Sequence, residues 1–408
     1  MNSIVNTLLL LETRMTGHRP SYLRRIAHMA LARDMQVIIA MPAECFSHPV
    51  VVSLFEKSPT EKLQAIRCKT VESEGAADDP KGMLRRQFQC MKFYRDALAT
   101  AQRRYKIDRA VINMFDDAAI LSGLFTFCLG DIPWDGIVMR QKFHLTTMGI
   151  IGPPETVSLT LKRRLFIRLL KKLSNKSRIL TIDESLKDYI HANYPTLTHT
   201  IDYIPDPVEE RGLATNPDLR KQLGIAEDVI LVLAYGTLRQ TKGVDILLDA
   251  LHELPQNFQA LLVGSQADDI TARINEERHR PLIEARRIHQ VNRYIDVSED
   301  PNFFQPADIV WIGYKHSYHA MSAVMVQAAQ YQRPTIATKN GLVGKLTRKY
   351  RTGIPVDTTK VRDVVEGILK LSNKEFTVSA EEYVAFANAY SLKAFEKVLF
   401  ESVDTTIS

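Results

Sequence analysis

The stretch YGTLRQTKGVDILLDAL, Tyr235 to Leu251, sets two cations and two glycines between an apolar run and an amphipathic one. Gly236 lets the backbone turn tightly, and Lys242 stands where the next helix would begin. The first N–H groups of that helix have no partner within it and carry partial positive charge, so with Lys242 and Arg239 they suit an anion. The order is Lys-Gly, and no Ser or Thr follows to hold magnesium, so this is not the loop of a nucleoside triphosphatase. Alone, such a turn is most often a plain strand-to-helix connection. A second stretch, HAMSAVMVQAAQYQRPTIATKNG from His319 to Gly341, offers Ser322 as an N-cap ahead of Ala323. A diphosphate could sit on that helix start without any acidic side chain, and the turn Asn340 to Gly344 would bring a second glycine loop to the same sheet edge.

Other polar residues fall at strand ends. Gly17 and His18 follow the first apolar run, where backbone could approach a phosphate, and His144 follows the run GIVMR. His144 could orient a sugar, although a loop histidine without a role is the preferred reading. His316 and His319 with Tyr314 invite a metal reading, but no carboxylate or cysteine joins them, and no Asp-x-Asp triplet occurs, so no metal is expected. No strand ends in G-x-G-x-x-G, which sets a dinucleotide oxidoreductase aside.

The elements that must carry these residues alternate. Apolar runs at 5–11, 36–42, 109–113, 136–140 and 178–182 are separated by helical patterns at 21–33, 81–104, 117–128, 159–178 and 184–193. After the linker-like IPDPVEERG (204–212) the rhythm restarts, with runs at 228–236, 259–264, 307–313 and 334–338 and helices at 242–254, after Ser322 and at 360–372. A terminal helix is expected over 390–403 behind Ser391. This is the pattern of two mostly parallel α/β domains, whose ligands bind beyond the carboxyl ends of the strands. A chain of 408 residues is long enough for both.

The opening MNSIVNTLLLLETR reads as a first buried strand rather than a leader, and no run approaches the roughly 20 apolar residues of a membrane span. Cys45, Cys68, Cys90 and Cys128 lack paired spacing, which fits a reducing cytosol. Between Leu159 and Arg178 eight Lys and Arg residues meet no acid, with Arg164, Arg168, Lys171 and Lys172 on one helix side and Leu165, Phe166, Leu169, Leu170 and Leu173 mainly on the other. Two readings stay open: a solvated face of an α/β domain, or a contact with an anionic membrane surface. Nucleic acid is not expected, since no aromatic platform interleaves the charges.

At this point the residues resemble a family. Tyr235-Gly236…Lys242-Gly243-Val244-Asp245, LLVG ending at Gly264, ADIVWIGY from Ala307, AAQYQRPTIATKNG and TGIPVD are similar to the C-terminal domain of family 4 glycosyltransferases. TGHRPSYLRRIAHMALARDMQVIIAMP (16–42), IPDPVE (204–209) and YSLKAFEKVLF extend the resemblance over most of the chain, least between about 45 and 135. It implies the GT-B fold: two Rossmann-like doubly wound domains facing an interdomain cleft, with a C-terminal helix crossing back to the N-terminal domain. The expected boundaries are 1–206, completed by about 390–408, for acceptor binding, and 207–389 for the nucleotide sugar.

The resemblance further implies a retaining glycosyltransferase that moves a sugar from a UDP- or GDP-linked donor to a glycan or lipid-linked acceptor, without a required cofactor. It would be cytoplasmic, or peripheral on the inner face of the membrane, and active in cell-surface polysaccharide or glycolipid synthesis. His144, His319 and Lys242 become candidate catalytic residues, and Gly17, His18, Gly236, Arg239, Lys242, Ser322, Ala323 and Gln327 candidate donor contacts. The family carries two glutamates eight positions apart where this chain has His319 and Gln327, and its phosphate-turn arginine falls at Thr237. Gln327 could still bond ribose hydroxyls, and Met321-Ser322-Ala323 is similar to the serine-rich loop of a subset. These departures keep two alternatives: a silent nucleotide-sugar-binding scaffold, and a nucleotide-sugar epimerase of similar fold.

Overall fold

The computed structural model describes residues 6–58, 61–71, 80–125, 132–174, 176–210, 212 and 218–404. Cys128, Arg211 and the end of the helix expected at 117–128 lie outside them. The chain divides into two compact units: Met1–His144 with Glu155–Ile204 and Glu396–Ser408, and Leu145–Pro154 with Pro205–Phe395.

The first unit holds a seven-stranded parallel sheet of β1 (Thr7–Leu11), β2 (Gln36–Pro42), β3 (Leu63–Cys68), β4 (Arg109–Ile112), β5 (Trp134–Val138), β6 (Arg178–Thr181) and β7 (Ile201–Tyr203). Their spatial order is β3-β2-β1-β4-β5-β6-β7. Leu8–Leu11, Val37–Met41 and Ala110–Ile112 are buried throughout, as strands covered by helices on both faces must be. The order reverses between β1 and β4, so the crevice beyond their carboxyl ends is where a ligand is expected.

The second unit repeats the plan with β8 (Ile230–Tyr235), β9 (Phe258–Val263), β10 (Ile288–Val291), β11 (Ile309–Ile312), β12 (Thr335–Thr338) and β13 (Gly353–Val356), in the order β10-β9-β8-β11-β12-β13, all parallel. Alternate residues of each strand enter different cores. Leu231, Leu233, Leu261, Val310 and Ala337 pack in one, while Val232, Ala234, Ala260, Leu262, Ile309 and Ile336 pack in the other. Here the order reverses between β8 and β11.

Ser391 caps the last helix, its hydroxyl accepting from Ala394 N at 3.2 Å. From Glu396 onward that helix belongs to the first unit, where Glu396 pairs with Arg33 and the carbonyl of Val398 accepts from Arg178 Nη2 at 3.0 Å. On the basic helix, now bounded as Val157–Leu170, Phe166, Ile167, Leu169 and Leu170 are buried. Arg164, Arg168, Lys171 and Lys172 are exposed. Among the described residues no helix is long and apolar enough to cross a membrane.

Candidate functional site

In the second unit the residues at the carboxyl ends of β8 and β11 form one polar surface. Gly236 takes φ +92° directly after β8, and a short 3-10 turn, Gln240–Lys242, leads to Gly243 at φ +61°. A Cβ on Gly243 would lie 2.1 Å from the carbonyl oxygen of Gly313, so this turn and the end of β11 pack backbone to backbone, which only glycine allows. Lys242 is thereby folded back over the strand end. Its Nζ donates to the Tyr235 carbonyl at 2.9 Å and lies 5.3 Å from the centroid of the Tyr314 ring. The indole of Trp311 donates to the Lys242 carbonyl at 3.0 Å and fixes the turn from beneath. Arg239 is exposed on the same turn.

Beyond β11 the Tyr314 and Tyr318 rings stack at 3.9 Å between centroids. The helix Ala323–Gln330 then begins at Ser322, which has cap backbone geometry but makes no side-chain cap bond. Its hydroxyl is engaged 2.8 Å from Tyr314 Oη instead. The sequence led us to expect a serine cap; the structure has the serine ordering a tyrosine. The first helix bond is from Met325 N to Ser322 O, so the N–H groups of Ala323 and Val324 remain for a ligand.

His319 is nearly buried on the neighbouring loop, its carbonyl accepting from Leu342 N at 3.0 Å. Gly341, at φ +59°, packs against it so closely that a Cβ would meet His319 Cα at 2.5 Å. Asn340 Nδ2 donates to His316 Nδ1 at 2.6 Å, and no metal-holding group of His, Cys, Asp and Glu exists among the described residues. Gln327 is buried, and its Nε2 donates to Asp300 Oδ2 at 2.7 Å, while the Tyr235 hydroxyl donates to the other Asp300 oxygen. Asp300 had escaped the sequence reading, because nothing in the spacing joins 300 to 327.

The corresponding edge of the first unit is built of charge. Arg19 is buried between Glu12 and Asp117 and bonded to both. Arg14 and Arg140 reach Asp117 at 2.7 and 3.0 Å, and Asn113 Nδ2 donates to Glu12 at 2.6 Å. Burial alone would raise the Asp117 carboxyl, but Arg19, Arg14 and Arg140 outweigh it and hold it below the usual range. Asp116 goes the other way, raised by burial although the N–H groups of Met139 and Arg140 bond it at 2.7 and 3.0 Å. This network was missed by the sequence reading; two acids at the end of an apolar run were its only signal.

Gly17 (φ +64°) has open space where a Cβ would stand, and the exposed His18 starts the helix Arg19–Ala32 without a side-chain cap bond. His144, by contrast, is fully enclosed. Its Nε2 lies 2.7 Å from Asp183 Oδ2, with the Phe143 and Tyr189 rings around it. Asp183 also caps the helix Glu184–Asn193 through Ser185 N at 2.9 Å, so the loop histidine fastens that helix start. Of the candidate residues, Gly236, Arg239, Lys242, Ser322, Ala323, His319 and Gln327 lie in the second unit; Gly17, His18 and His144 lie in the first.

Residues 215–389 match the family of glycosyl transferases group 1. A curated relative, lipopolysaccharide 1,2-N-acetylglucosaminetransferase of Salmonella typhimurium, is 26% identical over 190 residues, 44% of this chain and 48% of that one. The match thus spans about half the length of the curated relative. Among solved structures, sucrose-phosphate synthase of Thermosynechococcus elongatus superposes with a TM-score of 0.68 at 14% identity, covering 98% of this chain and 99% of its own. Anabaena HepE in complex with UDP and glucose gives 0.64 at 16%, over 98% and 99%, and WaaG, a glycosyltransferase involved in lipopolysaccharide biosynthesis, 0.60 at 14%, over 98% and 100%. The chain therefore has the GT-B fold, and its residues 215–389 match the glycosyl transferases group 1 family.

Proposed function

We propose that this chain is a glycosyltransferase that moves a sugar, with retention of configuration, from a UDP- or GDP-linked donor to a glycan or lipid-linked acceptor in cell-surface polysaccharide or glycolipid synthesis. The observation that carries this reading is the Lys242 turn beside the uncapped start of the Ala323–Gln330 helix, inside the matched domain. In the reaction an acceptor hydroxyl oxygen bonds to the anomeric carbon, the bond from that carbon to the diphosphate oxygen breaks, and the hydroxyl proton passes to the departing diphosphate. Charge develops on the departing diphosphate, and Lys242, Arg239 and the N–H groups of Ala323 and Val324 would hold it in place. Moving Lys242 Nζ from the Tyr235 carbonyl to a phosphate exchanges a neutral acceptor for one of opposite charge, which binds the ammonium more strongly.

The HepE complex with UDP and glucose supports a UDP-linked donor, and the lipopolysaccharide enzymes support a surface glycan as acceptor. The first unit, where Gly17 and His18 meet the charged network, would take the acceptor. A peripheral membrane contact on the cytoplasmic side is supported by the exposed Val157, Leu161, Leu124 and Phe125 beside the cations of the basic helix. Loss of co-sedimentation with anionic vesicles on replacing Arg164, Arg168 and Lys171 by alanine is expected; unchanged sedimentation would remove the membrane clause.

The first experiment is nucleotide release from a panel of UDP-, GDP- and other activated sugars, with and without candidate acceptors. Release from one donor is expected, reduced about 100- to 1000-fold in Lys242→Ala. A second reading, a silent nucleotide-sugar-binding scaffold, is favoured by the commitment of the Gln327 amide to Asp300. Tight donor binding with no release under any condition would select it, and donor interconversion without acceptor would select an epimerase instead.

A further inference from the structure

The first unit has a second concentration of positive charge, at the opposite ends of its strands from the Glu12 network. A hollow of about 260 Å³ opens beside the beginnings of β4, β6 and β7. Arg109, Lys176, Arg178, Lys187, His191 and Asp202 line it. Arg109 and Arg178 converge on the buried Asp135, with Nε to oxygen distances of 2.7 and 2.8 Å, and Lys187 Nζ lies 2.6 Å from Asp202. Four cations thus face two carboxylates. Arg109 spends Nε and Nη2 on Asp135, which leaves its Nη1; Arg178 spends Nε on Asp135 and Nη2 on the carbonyls of Val398 and Leu399, and its Nη1 lies 3.7 Å from Asp202. Lys176 is exposed at the mouth.

One further group is harder to account for by folding alone. His191 Nε2 is buried and has no hydrogen-bond partner. It stands four residues after Lys187 on one helix, so the two side chains share a face. A buried polar nitrogen is normally satisfied, and one left without a partner in a cationic hollow asks for an anion that accepts.

We propose that this hollow binds a phosphate group. Arg109 Nη1, the Lys176 ammonium and His191, with its proton on Nε2, are the donors that tetrahedral phosphate oxygens require. The group belongs either to a soluble phosphorylated molecule or to an anionic lipid headgroup. The inference is independent of the reading of the second unit.

The test uses the full chain carrying Lys242→Ala, which weakens the turn after β8; whatever phosphate Arg239 and the Ala323 helix start still hold is the same in every variant compared. Its melting temperature is expected to rise with inorganic phosphate, and the apparent Kd to weaken about tenfold when Lys176→Ala or His191→Gln is added. Lys176 is exposed, so its variant should melt unchanged without phosphate, which separates lost binding from lost folding. Co-sedimentation with phosphatidic acid vesicles that is absent with phosphatidylcholine, lost in Lys176→Ala and displaced by inorganic phosphate assigns the group to a lipid. Phosphate protection without such sedimentation assigns it to a soluble molecule. No phosphate-dependent rise in the Lys242→Ala chain, or one equal in all variants, overturns the proposal.

Discussion

Gln327 stands where the resembling family has a carboxylate, and its surroundings give a physical reason. With Asp300 Oδ2 2.7 Å from Gln327 Nε2 in a buried place, a glutamate at 327 would set two carboxylates in contact. One of them would have to stay protonated or the pair would separate. We expect Gln327→Glu alone to destabilise the second unit by roughly 3 kcal/mol. That corresponds to a fall on the order of 6–12 °C in melting temperature. The raised carboxyl of that pair stabilises only while protonated, so the loss should grow as pH rises. Asp300→Asn combined with Gln327→Glu should recover most of it, since one charge is then bonded to one amide. Equal melting of the single variant and the parent would mean that the pair is not in contact. Replacing Gln327 by glutamate in an activity assay must therefore be read beside this melting curve. The Lys242 turn was legible in the sequence because its glycines mark positive-φ backbone, whereas Asp300 and the buried Arg19 join partners about 27 and 98 residues away through folding alone.

The elements divide in the same physical way. Among the described residues, each of the nine interior strands was readable as an apolar run, since helices cover both of its faces. The four strands that were not read, β3, β7, β10 and β13, are the four edges of the two sheets. Their sequences LQAIRC, IDY, IHQV and GIPV are short or interrupted by exposed and half-buried positions, as edges are when they resist pairing with another chain. The basic helix was readable from its charge, but its partner was not: it packs on the helix Ala119–Leu124 so tightly that a Cβ on Gly123 would lie 2.1 Å from the Leu165 carbonyl oxygen. Gly123→Ala must therefore push the two helices apart, at a cost of about 1–3 kcal/mol. A lower urea midpoint for the first unit is the expected result. Because the exposed Leu124 and Phe125 move with the displaced helix, vesicle binding should weaken as well. An unchanged midpoint would contradict the close packing.

At the scale of the whole molecule the two units differ in how they store charge, and acid should tell them apart. In the first unit three buried carboxylates are held below their usual range. Burial alone would raise Asp117, Asp135 and Asp183, but their partners outweigh it: Arg19 and Arg14 for the first, Arg109 and Arg178 for the second, His144 and Ser185 for the third. A depressed acid contributes stability that is complete above its unfolded value near pH 4 and disappears as pH falls through the folded value. Asp116 opposes them: burial raises it, so its contribution is lost as pH rises, which leaves three groups against one. In the second unit the lowered carboxylates Asp296 and Glu381 are exposed and Glu276, Glu299 and Asp357 are no more than half-buried, so solvent screens their partners. The first unit should therefore unfold first on acidification. The chain has two tryptophans, Trp134 next to Asp135 in the first unit and Trp311 under the Lys242 turn in the second. In Trp311→Phe the remaining emission should change below about pH 4, and in Trp134→Phe it should change at lower pH. Coincident transitions would mean that the ion network around Asp117 and Asp135 does not set the acid limit. Asp135→Asn, which leaves Arg109 and Arg178 facing a neutral amide, should destabilise the first unit already at neutral pH and so move its acid transition to higher pH, further from that of the second unit.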